Sequence, residues 1–143
     1  MKKADAALSL IMNISKVNSL LSRKFDSLSA HGISFSDFTI LYLLKEAPGG
    51  KLRRIDLADR IGLTPSGVTR MLVPMEKIGL IAREANERDA RVSYAAITET
   101  GKAILEDAMV TAIAQANLIL PYKEKYNIEV VANFLLNLGG NIN

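Results

Sequence analysis

The stretch from Leu57 to Met71 constrains this chain most. Two short helical patterns meet there at Gly62. Ala58 is small enough to let a second helix cross closely over the first. Gly62 falls where the first helix must turn through a left-handed conformation, which glycine adopts without steric penalty. Thr64-Pro65 then opens a new helix, with a capping side chain followed by a ring whose fixed φ suits the first helical position. Leu57, Ile61, Leu63, Val68 and Met71 are expected to fill the wedge between the helices. This is helix-turn-helix logic. The start of the second helix stands free, its positive dipole end and N–H groups open to phosphate and its side chains to a major groove. An ordinary helical corner inside a core carries a similar pattern, so the flanking segments must decide.

Those segments read as follows. Ile14, Val17, Leu21, Phe25 and Leu28 repeat at helical steps within a helix from about Ala4 to Leu28. Ser34 with Asp37 forms a carboxylate variant of the capping box and opens a second helix, ended by Ala47-Pro48-Gly49-Gly50. The helix-turn-helix takes Arg54 to Ile61 and Thr64 to Gly79. Its second helix should bury Val68, Leu72, Met75 and Ile78 and expose Ser66, Thr69, Arg70, Val73 and Lys77. Pro74 removes a backbone bond to Arg70 and predicts a kink. Arg53 stands where a capping Ser or Thr is expected. Two strands, Leu80 to Arg83 and Val92 to Ile97, flank a polar tip at residues 86–90 and predict a hairpin. Thr98 caps a helix of about 20 residues, with Leu105, Met109, Ala112, Ala116 and Leu120 in line and Pro121 at its end. A last helix runs from about Ile128 to Leu138, stopped by Gly139-Gly140.

Composition narrows the chemistry. The chain has 143 residues, half of them apolar, enough for one compact subunit with a real core. It has no cysteine and one histidine, His31, so thiol chemistry and a His/Cys zinc site within one chain are excluded. The G-x-S-x-G and P-loop patterns are absent, as is any clustered set of metal ligands. No catalytic residue, metal or cofactor is therefore assigned, and no enzymatic activity is expected. Asp5, Asn13 and Lys16 interrupt the apolar residues near the start, which argues for a helix rather than an export signal. No run reaches the roughly 18 apolar residues of a membrane span, and a cytoplasmic location is the default expectation. The net charge of +3 is concentrated: residues 45–91 sum to +3, residues 1–44 to +2 and residues 92–143 to −2. The basic middle is rich in arginine, which suits phosphate, although a solvated mixed-charge surface would carry a similar excess.

Linked motifs then point to a family. Ile55-Asp-Leu-Ala-Asp-Arg-Ile-Gly-Leu-Thr-Pro-Ser-Gly-Val-Thr-Arg-Met-Leu resembles the helix-turn-helix of the MarR family of bacterial transcription regulators. Glu76-Lys-Ile-Gly-Leu-Ile-Ala-Arg, Arg88-Asp-Ala-Arg-Val-Ser and Ile97-Thr-Glu-Thr-Gly follow at the family's spacing. The resemblance spans about Leu41 to Lys102. It implies a mainly α, α+β fold: a winged helix-turn-helix head with a two-stranded wing, and terminal helices forming a dimerisation domain. The expected division is 1–33 for the N-terminal dimerisation helix, 34–100 for the DNA-binding head and 101–143 for the C-terminal dimerisation helices.

The resemblance also implies partners and sites. The partners are double-stranded DNA and a second copy of the chain, together acting as a ligand-responsive repressor on a pseudo-palindromic operator. Thr64, Pro65, Ser66, Gly67, Thr69 and Arg70 would face the major groove. Arg91, held by Asp89, would enter the minor groove, where a guanidinium suits the negative potential. Arg88 is a further wing contact, and Arg53 and Arg54 are expected at phosphate, with Lys51 beside them. A small anionic aromatic effector is implied, and Arg23, Phe35, Phe38 and Tyr42 are candidates to line its pocket. The alternative is a winged-helix protein-interaction module that does not bind DNA.

Overall fold

The computed structural model describes residues 3–120 and 122–143. Pro121, expected to end the long helix, lies outside the described residues. The chain runs α1 (Lys3–Lys24), a 3-10 turn at Asp26–His31, α2 (Phe35–Glu46), a second 3-10 turn at Pro48–Gly50, β1 (Lys51–Arg53), α3 (Arg54–Ile61) and α4 (Pro65–Lys77). It continues through β2 (Ile81–Ala85), β3 (Ser93–Ile97), α5 (Glu99–Ile119), a 3-10 turn at Lys123–Lys125 and α6 (Ile128–Asn137).

Local chemistry explains most boundaries. Ser34 and Asp37 exchange the two bonds of the capping box: Asp37 N–H donates to Ser34 Oγ at 3.1 Å and Ser34 N–H to Asp37 Oδ2 at 3.0 Å. Gly62 ends α3 at φ 72°, and the next N–H, from Leu63, returns to the Ala58 carbonyl at 2.9 Å. Thr64 caps α4 by accepting from Gly67 N–H at 3.1 Å. Thr98 caps α5 by accepting from Gly101 N–H at 3.0 Å; its hydroxyl donates to the Gly79 carbonyl at 2.6 Å, and its backbone N–H donates to the Leu80 carbonyl at 3.1 Å. A Cβ at Gly101 would collide with that same carbonyl, so the glycine lets α5 start directly against the strand entry.

The sheet has three strands, ordered β1–β3–β2 and antiparallel throughout. Leu52 pairs with Ala95 and Ala95 pairs with Arg83, so β3 is central and Ala95 is fully buried. The two-stranded wing is present as β2 and β3. The third strand, β1, was not expected.

One core joins α2, α3, α4, the sheet and the near half of α5. Leu57, Val68, Leu72 and Leu105 are fully buried, and Met75 and Leu80 nearly so. Phe25 and Leu28 belong to the same cluster, as do Ala108 and Ala112 of α5. The core therefore crosses the boundaries expected at residues 33 and 101. His31 reinforces one crossing, its Nε2 lying 2.8 Å from Thr111 Oγ1.

Several expectations need correcting. The first helix stops at Lys24, and its last expected turn becomes the 3-10 segment. Ile78 is exposed, because the chain turns at Gly79 and Leu80 fills the core instead. Leu63 is exposed beyond the Gly62 turn, leaving Leu57 and Val68, fully buried, with Ile61 and Met71, partly buried, to form the wedge beside Ala58. The buried line of α5 is Leu105, Ala108 and Ala112, while Ala116 and Leu120 are exposed. α4 contains Pro74 and ends at Lys77, two residues before the expected Gly79. Pro74 lies on the exposed side, where water can replace the donor that the Arg70 carbonyl loses.

Candidate nucleic-acid interface

Two exposed elements project from this head. The first is the start of α4. Val68, Leu72 and Met75 face the core, which turns Ser66, Thr69 and Arg70 outward. Thr64 and Pro65 are exposed, and Gly67 is half-buried beneath the cap. Thr64 Oγ1 and Ser66 Oγ lie 3.2 Å apart. Arg70 has no hydrogen bond or ion pair to another described residue.

The second element is the tip between β2 and β3. Asn86 organises it: its Oδ1 accepts the N–H groups of Arg88 at 2.8 Å and Asp89 at 3.2 Å, an Asx turn. Its Nδ2 donates to the Tyr94 hydroxyl at 3.2 Å. Asp89 then accepts three bonds from one residue: the Arg91 backbone N–H at 3.0 Å, Nε at 3.1 Å and Nη2 at 3.2 Å. The Arg91 side chain is nonetheless 91% exposed. Its direction is fixed while its outer surface stays free. The side-chain bond from Arg91 and then its backbone N–H hold the Asp89 carboxyl below the usual range. Arg88 is exposed on the same tip.

The cations beside α3 divide. Arg53 is the N-cap residue but makes no side-chain cap bond; it grips Asp56 through Nε at 2.8 Å and Nη2 at 3.2 Å. That bond lowers the Asp56 carboxyl and offsets a cation near the positive end of a helix. Lys51 Nζ reaches Glu84 at 2.8 Å and lies 5.1 Å from the Tyr94 ring centroid, tying the outer strands across β3. Arg54, also expected at phosphate, is the least exposed of the three. It is paired with Glu76 at 3.0 Å, and its side chain is only 16% exposed.

The candidate effector residues are not gathered around one cavity. Phe35 stacks on Phe25 at 4.0 Å and on Phe38 at 6.2 Å, as part of the core edge. Phe35 borders a cavity beside Phe25 and Gly32. A different cleft of ≈580 Å³ lies between the helix-turn-helix corner and the terminal helices, lined by Asn18, Thr39, Arg60, Met71 and Asn141 among others. Sequence reasoning missed Asn86, Tyr94 and Glu76. An Asx-turn residue opening the polar tip was the available signal for Asn86; Tyr94 and Glu76 act through non-local contacts and gave none.

Residues 33–93 match the MarR family. The HTH-type transcriptional regulator MhqR of Bacillus subtilis is 28% identical over 111 residues, covering 78% of this chain and 75% of the relative. The HTH-type transcriptional repressor YetL of the same organism is 28% identical over 132 residues, covering 92% and 75%. Among solved structures, the transcriptional regulator BldR of Sulfolobus solfataricus superposes with a TM-score of 0.84 at 26% identity, over 96% of this chain and 97% of that one. The M. tuberculosis regulator MOSR, solved in complex with DNA, shares the fold with a TM-score of 0.79 at 23% identity, covering 90% and 92%.

Proposed function

We propose that the chain, whose residues 33–93 match the MarR family, is a homodimeric, sequence-specific regulator of transcription on double-stranded DNA. The observation that carries this reading is Arg91, whose guanidinium donates two bonds to Asp89 yet is almost wholly exposed at the tip of the hairpin. A protein-interaction surface has no need of a pre-aimed bare guanidinium, whereas a narrow minor groove rewards one. Thr64, Pro65, Ser66, Gly67, Thr69 and Arg70 at the start of α4 enter the major groove. Arg88 and Arg91 reach the neighbouring minor groove, Asp89 acting as the orienter. Arg53 remains near phosphate, its charge shared with Asp56.

The homodimer is supported by the terminal helices. Leu8, Ile11 and Met12 on α1, and Val130, Phe134 and Leu136 on α6, are large, apolar and exposed. Intersubunit packing of residues 1–33 and 101–143 would cover them and set two heads on a pseudo-palindrome, about one helical turn apart. Repression is the proposed sense of regulation. For the anionic aromatic effector, a further candidate besides the one at Phe35 is the cleft lined by Asp59, Arg60, Ile61 and Met71.

The test is affinity for random duplex DNA across a salt series. Log affinity should fall steeply with log salt as several phosphates are engaged, and Arg91→Ala should weaken binding roughly tenfold. Salt-independent binding, or an unchanged Arg91→Ala affinity, would contradict the reading.

A further inference from the structure

Three residues far apart in the chain meet beside the start of α4. Arg54 Nη1 donates to Glu76 Oε1 at 3.0 Å, and Arg54 Nη2 donates to Thr69 Oγ1 at 3.4 Å. The Thr69 hydroxyl donates to the Pro65 carbonyl at 3.1 Å. A guanidinium carries donors only. Its presence beside Thr69 therefore orients the hydroxyl: the oxygen accepts on the Arg54 side, and its single proton turns to Pro65. Back-bonding of this kind also holds the side chain in one rotamer.

This limits what Thr69 can offer a base edge. Guanine O6 and N7, adenine N7 and thymine O4 are acceptors and require a donor. Thr69 has no proton left to give. Its uncommitted part is the methyl group, and the matching apolar feature in the major groove is the C5-methyl of thymine. Ser66 differs, since its hydroxyl meets only that of Thr64. We propose that Thr69 reads a thymine by methyl contact, and that Arg54, braced by Glu76, is the positioning residue that keeps it in that role. This rests on the reading of α4 as the recognition helix.

The experiment uses the full chain and an operator enriched by it from a random duplex library. Each thymine of that operator is replaced in turn by deoxyuridine, which removes only the methyl group, and affinity is measured by fluorescence anisotropy. Wild type should lose roughly fourfold at one thymine per half-site, the factor for burying one methyl group. Thr69→Val keeps a methyl and should keep this discrimination. Thr69→Ser keeps the hydroxyl, lacks the methyl and should bind both duplexes alike. Arg54→Gln should relax the same ratio, a readout that does not depend on overall affinity or stability. If every deoxyuridine duplex binds like its parent, or if Thr69→Ser discriminates and Thr69→Val does not, the methyl reading is overturned. If the library yields no common sequence, the proposed function itself fails and this inference falls with it.

Discussion

The head and the terminal helices distribute their apolar residues in opposite ways. From α2 to the near half of α5, most large apolar side chains converge on one core, with Ile55, Leu63, Val73 and Ile78 left exposed among polar and charged neighbours. α6 buries none of its ten residues, and α1 exposes Leu8, Leu10, Ile11 and Met12. The head satisfies its own hydrophobic requirement and leaves charged side chains free for a polyanion. The terminal helices leave apolar side chains uncovered, which is what the proposed intersubunit packing would bury.

The sharpest way to break this contrast is in the core. Leu72→Ala, at a fully buried position, should lower stability by about 2–5 kcal/mol in urea unfolding. That loss should be independent of protein concentration. A negligible loss would mean that the head is not the packed unit described. Leu135→Glu on α6 should act differently. It places a charge on a face held to be intersubunit, and should shift the species seen by size-exclusion chromatography from dimer to monomer at micromolar concentration. A monomeric wild type would remove the contrast altogether.

Smaller effects test the wing. Asp89→Asn should weaken duplex binding by about two- to fivefold, the scale of an exposed ion pair. It should do so without changing the melting temperature, because it releases the direction of Arg91 and leaves the core intact. The smallest effect is in pH. Asp89 titrates below its unfolded value of about 3.9 because Arg91 favours the ionised form. The ordering it supplies is therefore present above that value and lost as pH falls through the lower folded pKa. The Arg91 Nε–H resonance should stay constant from neutral pH to about pH 4 and move only below it. Movement near pH 6 would show that another group controls the tip.

Legibility in the sequence followed the range of the interactions. Gly62, Thr64, Pro65, Ser34 and Thr98 act within a few residues, and the structure places each boundary where their chemistry puts it. β1 is only three residues long and exists through pairing with β3, about 43 positions away, so no local pattern announces it. Ile78 and Leu63 were misplaced because helical periodicity was extended across turns that redirect the chain. Arg54 looked like a surface cation because its partner, Glu76, lies 22 residues on. The terminal helices were legible as apolar, but periodicity says which face is apolar and not what covers it.

The most direct test of the central claim is the mass of the complex on one enriched two-half-site duplex, measured by light scattering. The account requires two chains per duplex, the terminal helices joined and both heads on DNA. One chain per duplex, or no complex at low salt, would contradict it.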